Sequence, residues 1–196
     1  MNLLQLKVNE IAYSYFKRGC REIKNTNRSK CVDELKTIYD GKPDADPWCA
    51  QSLWAFWEIA SKDQGAKNPL PKTASAKGLL NDCKAKGYTI GLKPSPGNPF
   101  YHLSSSPKAS GHVGQVYKVY PDGSFDVVAG NTGGAVAKYR IKEEGIARLQ
   151  MKFMYVFPYV EGDNGITTEP ESTLDIVSSL FYSSLAIFFV YVFTKK

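Results

Sequence analysis

The 196 residues predict an α+β domain with helices first, an antiparallel sheet after them and an apolar C-terminal segment. Three observations carry this. Apolar residues recur at helical spacing as far as Lys86. After Gly87 the period shortens, and Pro121-Asp122-Gly123-Ser124 separates two β-like runs, a strong hairpin signal. Finally, residues 176–193 contain 18 consecutive uncharged residues.

The first helix is read from Leu4, Val8, Ile11 and Tyr15 on one face, with Lys7, Glu10 and Lys17 elsewhere. Val32, Leu35, Ile38 and Tyr39 define a second helix over 30–39, halted by the Gly and Pro of the loop 40–47. The run 48–60 (WCAQSLWAFWEIA) is apolar on most sides, as a buried helix requires. Residues 74–86 make a fourth helix. The stretch 91–111, rich in Pro, Gly and Ser, reads as a long surface loop. Strands are expected at 113–120, 125–129, 136–141 and 151–159.

Composition excludes whole classes. Hydrophobic residues make up 43% and charged residues 22%, which rules out disorder, collagen and a multi-span membrane protein. The formal charge of +6 is uneven. Residues 1–160 carry 23 Lys and Arg against 14 Asp and Glu, whereas 161–175 carry five acids and no base. A basic body favours anionic polymers or head groups, without choosing among them. No apolar run follows the N-terminal residues, so no cleaved signal peptide is expected.

The division is thus 1–160 as one domain, 161–175 as an acidic linker and 176–193 as a transmembrane helix. Eighteen helical residues span roughly 27 Å against a hydrocarbon core of about 30 Å. Lys195 and Lys196 bracket the far end. The localisation expected from this is a single-pass C-terminal anchor, in a viral membrane or a bacterial inner membrane.

Chemistry concentrates on few residues. Cys49 begins the third helix, where the N-terminal field favours thiolate. Cys20, Cys31 and Cys83 read as core packing; four irregularly spaced cysteines make neither a disulfide framework nor a zinc site. Of the two histidines, His102 falls in the loop and reads as solvated. His112, within Ser110-Gly111-His112-Val113-Gly114, begins the first hairpin strand, its flanking glycines leaving room for close approach. A thiol at a helix start and an imidazole on a later strand are what a thiol hydrolase needs. With Asp122-Gly123 as a two-residue turn, Gly114 lies opposite Asn131, and Asn131 can reach His112 diagonally; otherwise Asn131 only makes a Gly-Asn turn. Asp126 then pairs with Val119 on the other face.

Pro47-Trp48-Cys49-Ala50, Gly111-His112-Val113-Gly114 and Gly130-Asn131 closely resemble the CHAP-type cysteine amidohydrolase/peptidases, and most nearly a phage-associated branch of them, within the wider NlpC-like papain superfamily. Glu22-Ile23 and Thr73–Ala76 match further segments of that branch, and the resemblance spans about 20–159. It implies a papain-like fold and cleavage of peptidoglycan amide bonds, as N-acetylmuramoyl-L-alanine amidase or peptide endopeptidase. Cys49, His112 and Asn131 would be catalytic, the Cys49 backbone N–H the first oxyanion donor, and Trp48, Gly111 and Gly114 would touch substrate. The Glu that many CHAP domains carry two residues before the Asn is here Ala129. Trp54 and Trp57 stand where the family is usually Phe-Val, as core, groove wall or a sugar-stacking surface. Asp40, Asp44 and Asp46 resemble the calcium loops of some CHAP enzymes, although a solvated acidic loop fits the spacing better and no cofactor is expected.

The expected function is a membrane-anchored lytic enzyme of a phage or another mobile element. Its partners would be peptidoglycan, a lipid bilayer and other virion or lysis proteins, with no specific nucleic acid. The alternatives are a structural or docking module of a membrane-containing virion or secretion machine, and an antibacterial effector with the same wall chemistry.

Overall fold

A computed structural model describes residues 1–103 and 111–158. Four helices come first: α1 (Leu3–Lys17), α2 (Lys30–Asp40), α3 (Cys49–Asp63) and α4 (Ala76–Ala85). Strands β1 (Thr89–Gly91), β2 (Pro99–His102), β3 (His112–Val119), β4 (Phe125–Thr132) and β5 (Ala135–Ile141) follow, then a short α5 (Glu143–Arg148) and β6 (Lys152–Tyr155). The strands form one sheet in the order β1-β6-β2-β3-β4-β5, antiparallel throughout.

Local sequence sets the helix ends. Asn2 and Gln5 form a capping box on α1, Ser29 caps α2 through the Val32 N–H, and Ser75 caps α4 through the Gly78 N–H. Gly41, at φ 74°, closes α2. Helix α3 differs: Trp48 occupies its cap position and gives no side-chain bond. The first amides of α3 therefore lack the acceptor that Ser, Thr, Asn or Asp would supply, a loss of about 1 kcal/mol in helix stability.

Strand alternation divides the core in two. Val113, Tyr117, Val128, Val136 and Met154 meet the helices, joining Val8, Ala12, Leu53, Phe56 and Trp57. Phe100, Val116, Phe125, Val127, Ile141 and Phe153 fill the other face. Phe125 of β4 and Phe153 of β6 touch edge to face at 5.6 Å. Three strand spacings separate β4 from β6, roughly 14 Å in a flat sheet, so the sheet curls to bury its second face.

Several expectations are corrected. The segment 91–111 is not all surface loop: Ser95–Tyr101 is buried and includes β2. Asn98, fully buried, donates to Ser95 Oγ and accepts from the Phe157 N–H, so polar residues here satisfy one another inside the fold. Cys20 and Cys31 form a disulfide, with Cα atoms 5.6 Å apart. It pins the segment whose Arg21 bridges to Ala135 at the edge of β5. The hairpin turn has three residues, with Tyr120 N–H donating to Ser124 O and Gly123 at φ 77°. A bulge then falls between Val116 and Lys118, and Asp126 pairs with Lys118 rather than Val119.

The single-pass anchor is corrected as well. Among the described residues no helix is long and apolar enough to cross a membrane. The expected linker at 161–175 and span at 176–193 lie outside the described residues.

Candidate active site

Cys49 is the first residue of α3 and is almost wholly buried, with 7% exposure. Its sulphur faces three backbone N–H groups, those of Val113, Ala50 and Cys49 itself. Val113 is the residue after His112, so the start of α3 abuts the start of β3 and brings the two expected catalytic positions to one end of the sheet. Burial is the largest influence on the thiol and pushes it up from its ordinary value; the three amides pull it down and are outweighed. The thiolate expected from the helix field is thus not the resting state, because desolvation exceeds it.

His112 is held on two sides. Its Nε2 lies 3.1 Å from Thr132 Oγ1. Across the β2–β3 pair its partner is His102, the ring centroids 5.3 Å apart. Burial foremost, and then the charge of His102, lowers the His112 imidazole from 6.5 to about 4. Reading His102 as a solvated loop residue missed this contact: it sits on β2, stacked at 6.0 Å on Phe100. Tyr139 of β5 lies beside Thr132, its phenol raised to about 12 by burial and, in smaller part, by the charge Cys49 carries as thiolate.

The side chain within hydrogen-bond distance of His112 is that of Thr132, not that of Asn131. The reason is backbone geometry. Register between β4 and β5 slips between Ala129 and Thr132, with Asn131 at φ 61°, a left-handed conformation that Asn tolerates. The extra residue brings Thr132 to the imidazole.

The three expected substrate-contact positions, Trp48, Gly111 and Gly114, are closely packed by neighbouring side chains. Trp48 is fully buried, and its indole N–H donates to Glu22 at 3.3 Å. A Cβ at Gly114 would lie 2.5 Å from the Ala129 Cβ and 2.8 Å from the Phe100 ring. Gly111, at φ 124°, lies against Tyr101. Trp57 is fully buried too and donates to Gln115, which excludes it from sugar stacking. Among the described residues, a groove of about 630 Å³ runs between Leu80, Leu92, Tyr101, Leu103 and Met151. It shares none of Cys49, His112 or Thr132.

The acidic loop does not fit a calcium ion. Lys36, fully buried, places its Nζ 2.7 Å from Asp44 Oδ1 and 2.8 Å from the carbonyls of both Asp44 and Asp46. Asp40 pairs with Lys72 instead, at 3.7 Å.

No family model matches the chain, and no curated protein matches it. Among solved structures it overlaps an N-acetylmuramoyl-L-alanine amidase from Staphylococcus aureus with a TM-score of 0.42 and 18% identity, over 56% of this chain and 31% of that one. It overlaps Ly7917 with a TM-score of 0.42 and 17% identity, over 62% of this chain and 61% of that one. Against Ly7917 with the hydrolyzing product of MDP the TM-score is 0.43 and the identity 14%, over 77% of this chain and 62% of that one. The chain spans less than two thirds of each. At this degree of overlap no residue role passes from them to this chain.

Proposed function

We propose that this protein is a thiol hydrolase of peptidoglycan amide bonds, with Cys49 as nucleophile and His112 as general base. The observation that carries the reading is the meeting of an uncapped helix start bearing Cys49 with the strand bearing His112, whose Nε2 is fixed by Thr132. The basic body and the Trp-Cys-Ala and Gly-His-Val-Gly motifs support an anionic wall polymer as substrate.

Both reacting groups are neutral at rest, so proton transfer accompanies attack. With Nε2–H donating to Thr132 Oγ1, Nδ1 is the bare nitrogen that takes the thiol proton as sulphur bonds to the carbonyl carbon. The resulting oxyanion faces the Cys49 N–H. The C–N bond then breaks as His112 returns the proton to the leaving amine, and water hydrolyses the thioester. In this reading Thr132 orients the imidazole, and Asn131 shapes the bulge that presents it.

One observation favours a second reading, a docking module that keeps the fold without the chemistry: the thiol is buried and raised rather than activated. Purified wall incubated with the full chain, wild type and Cys49→Ala, separates the two. The hydrolase releases fragments in a cysteine-dependent manner, the variant losing about 10³-fold or more, and fragment masses tell amidase from endopeptidase. Equal release by both proteins, or none by a folded wild type, favours the docking module.

A further inference from the structure

The residues before Cys49 form a cage around a buried ammonium. Lys36 reaches from α2 with no exposed surface and meets three oxygens: Asp44 Oδ1 at 2.7 Å, Asp44 O at 2.8 Å and Asp46 O at 2.8 Å. Two carbonyls and a carboxylate converging on one point are a hard-cation ligand set. The cage is fastened on every side. Asp44 Oδ1 also accepts from the Asp46 N–H at 3.0 Å, Asp44 Oδ2 accepts from Gln51 Nε2 at 2.9 Å, and Ala45 O accepts from Asn27 Nδ2 at 2.9 Å. Gln51 lies on α3 two residues after Cys49, and Asp46 lies three residues before it. The same carboxylate therefore ties α2, the loop and the first turn of α3 together.

We infer that Lys36 is a positioning residue, a tethered internal cation that fixes the loop 44–48 and so the entry of α3 at Cys49, taking the place that a bound metal ion would have. Asp44 behaves as such a ligand should. Burial pulls its carboxyl up, but bonds from Lys36, Gln51 and the Asp46 amide outweigh this and hold it below the usual range. A lysine at this point costs more side-chain entropy than a metal-ligating carboxylate, yet it needs no ion from solution. The charge also answers the half-buried Asp44 carboxylate from within, through the 2.7 Å contact with Asp44 Oδ1.

The link to catalysis rests on Cys49 being the working thiol, and the test is chosen to stand without it. The full chain is compared as wild type, Lys36→Ala and Lys36→Met, reading melting temperature in chelator and in millimolar Ca2+. Mass-resolved iodoacetamide labelling of Cys49 is read against pH, with Cys83 as the internal reference. Wild type is expected to ignore Ca2+. Lys36→Ala is expected to melt lower and to label Cys49 with a midpoint about one pH unit higher. Propylammonium, which restores the missing side chain, should reverse both changes. Lys36→Met fills the space without charge and should show the same shift with no reversal. A Ca2+-dependent rise in the wild-type melting temperature overturns the inference. So does an unshifted Cys49 midpoint in either folded variant, or a Lys36→Ala protein that stays unfolded in propylammonium. Labelling needs no peptidoglycan, so a wild type that cleaves no wall leaves this test intact.

Discussion

The two halves of the candidate site are built in opposite ways. The helix half, Lys36 to Gln51, is local: loop, cage and nucleophile lie within sixteen residues and are joined by short-range bonds. The strand half is assembled across the sheet. His112 takes its supports from β2, through His102, and from the far end of β4, through Thr132. Local bonds hold the loop that leads into Cys49, whereas contacts across the sheet hold the His112 imidazole. Register errors of one residue leave the first untouched and destroy the second.

The largest expected effect breaks the strand half outright. His112→Gln keeps the size and polarity of the side chain and removes the base, so hydrolysis of purified wall should fall by about 10² to 10⁴-fold. The same variant tests the electrostatics. His112 is held at about 4, below its ordinary 6.5, so it stays neutral in the fold while the unfolded chain takes up a proton first. Its contribution is fully present above pH 6.5 and is lost as pH falls towards 4, a difference on the order of 3 kcal/mol. Urea titrations at pH 7 and 4.5 should show this loss in wild type and a smaller one in His112→Gln. Equal losses would mean that His112 is not buried as a neutral base.

The same contrast decides what the sequence disclosed. Helix periodicity is local, so all four long helices were legible, as was Cys49 at its helix start. Strand existence was mostly legible, but pairing was not. Reading Asp122-Gly123 as a two-residue turn displaced every partner, because the three-residue turn and the bulge at Val116/Lys118 leave no pattern in hydrophobicity. That slip set Asn131 opposite Gly114 and diagonal to His112, and no sequence pattern singled out Thr132. Strand β2 was hidden among the Pro, Gly and Ser of 91–111, and His102 with it. The Cys20–Cys31 bridge and the Lys36 cage depend on which chain segments meet in space, and neither spacing nor composition reports that.

A finer break separates orientation from chemistry. Thr132→Val keeps the shape and deletes the hydroxyl that meets Nε2. One hydrogen bond of about 1.4 kcal/mol, needed most when the imidazole is charged, corresponds to a tenfold fall in kcat. KM should hold steady, and Thr132→Ser, which retains the hydroxyl, should recover most of the rate. A Val variant as fast as wild type would remove Thr132 from the site.

The smallest effect sharpens the comparison most, because it sets two readings of neighbouring residues against each other. Asn131 lies in the left-handed region at φ 61°, where glycine carries no Cβ strain and alanine costs about 1 kcal/mol. If its task is to let β4 slip and present Thr132, Asn131→Gly keeps the bulge. Activity should then stay within about twofold of wild type and the melting temperature should hold. Asn131→Ala should melt lower while its rate, measured well below that temperature, changes little. If instead the Asn131 amide orients His112, both variants lose activity to the degree of Thr132→Val, whatever their stability. Rate and stability thus move independently in the two readings: a backbone role alters melting and spares kcat, and an orienting role does the reverse in Asn131→Gly.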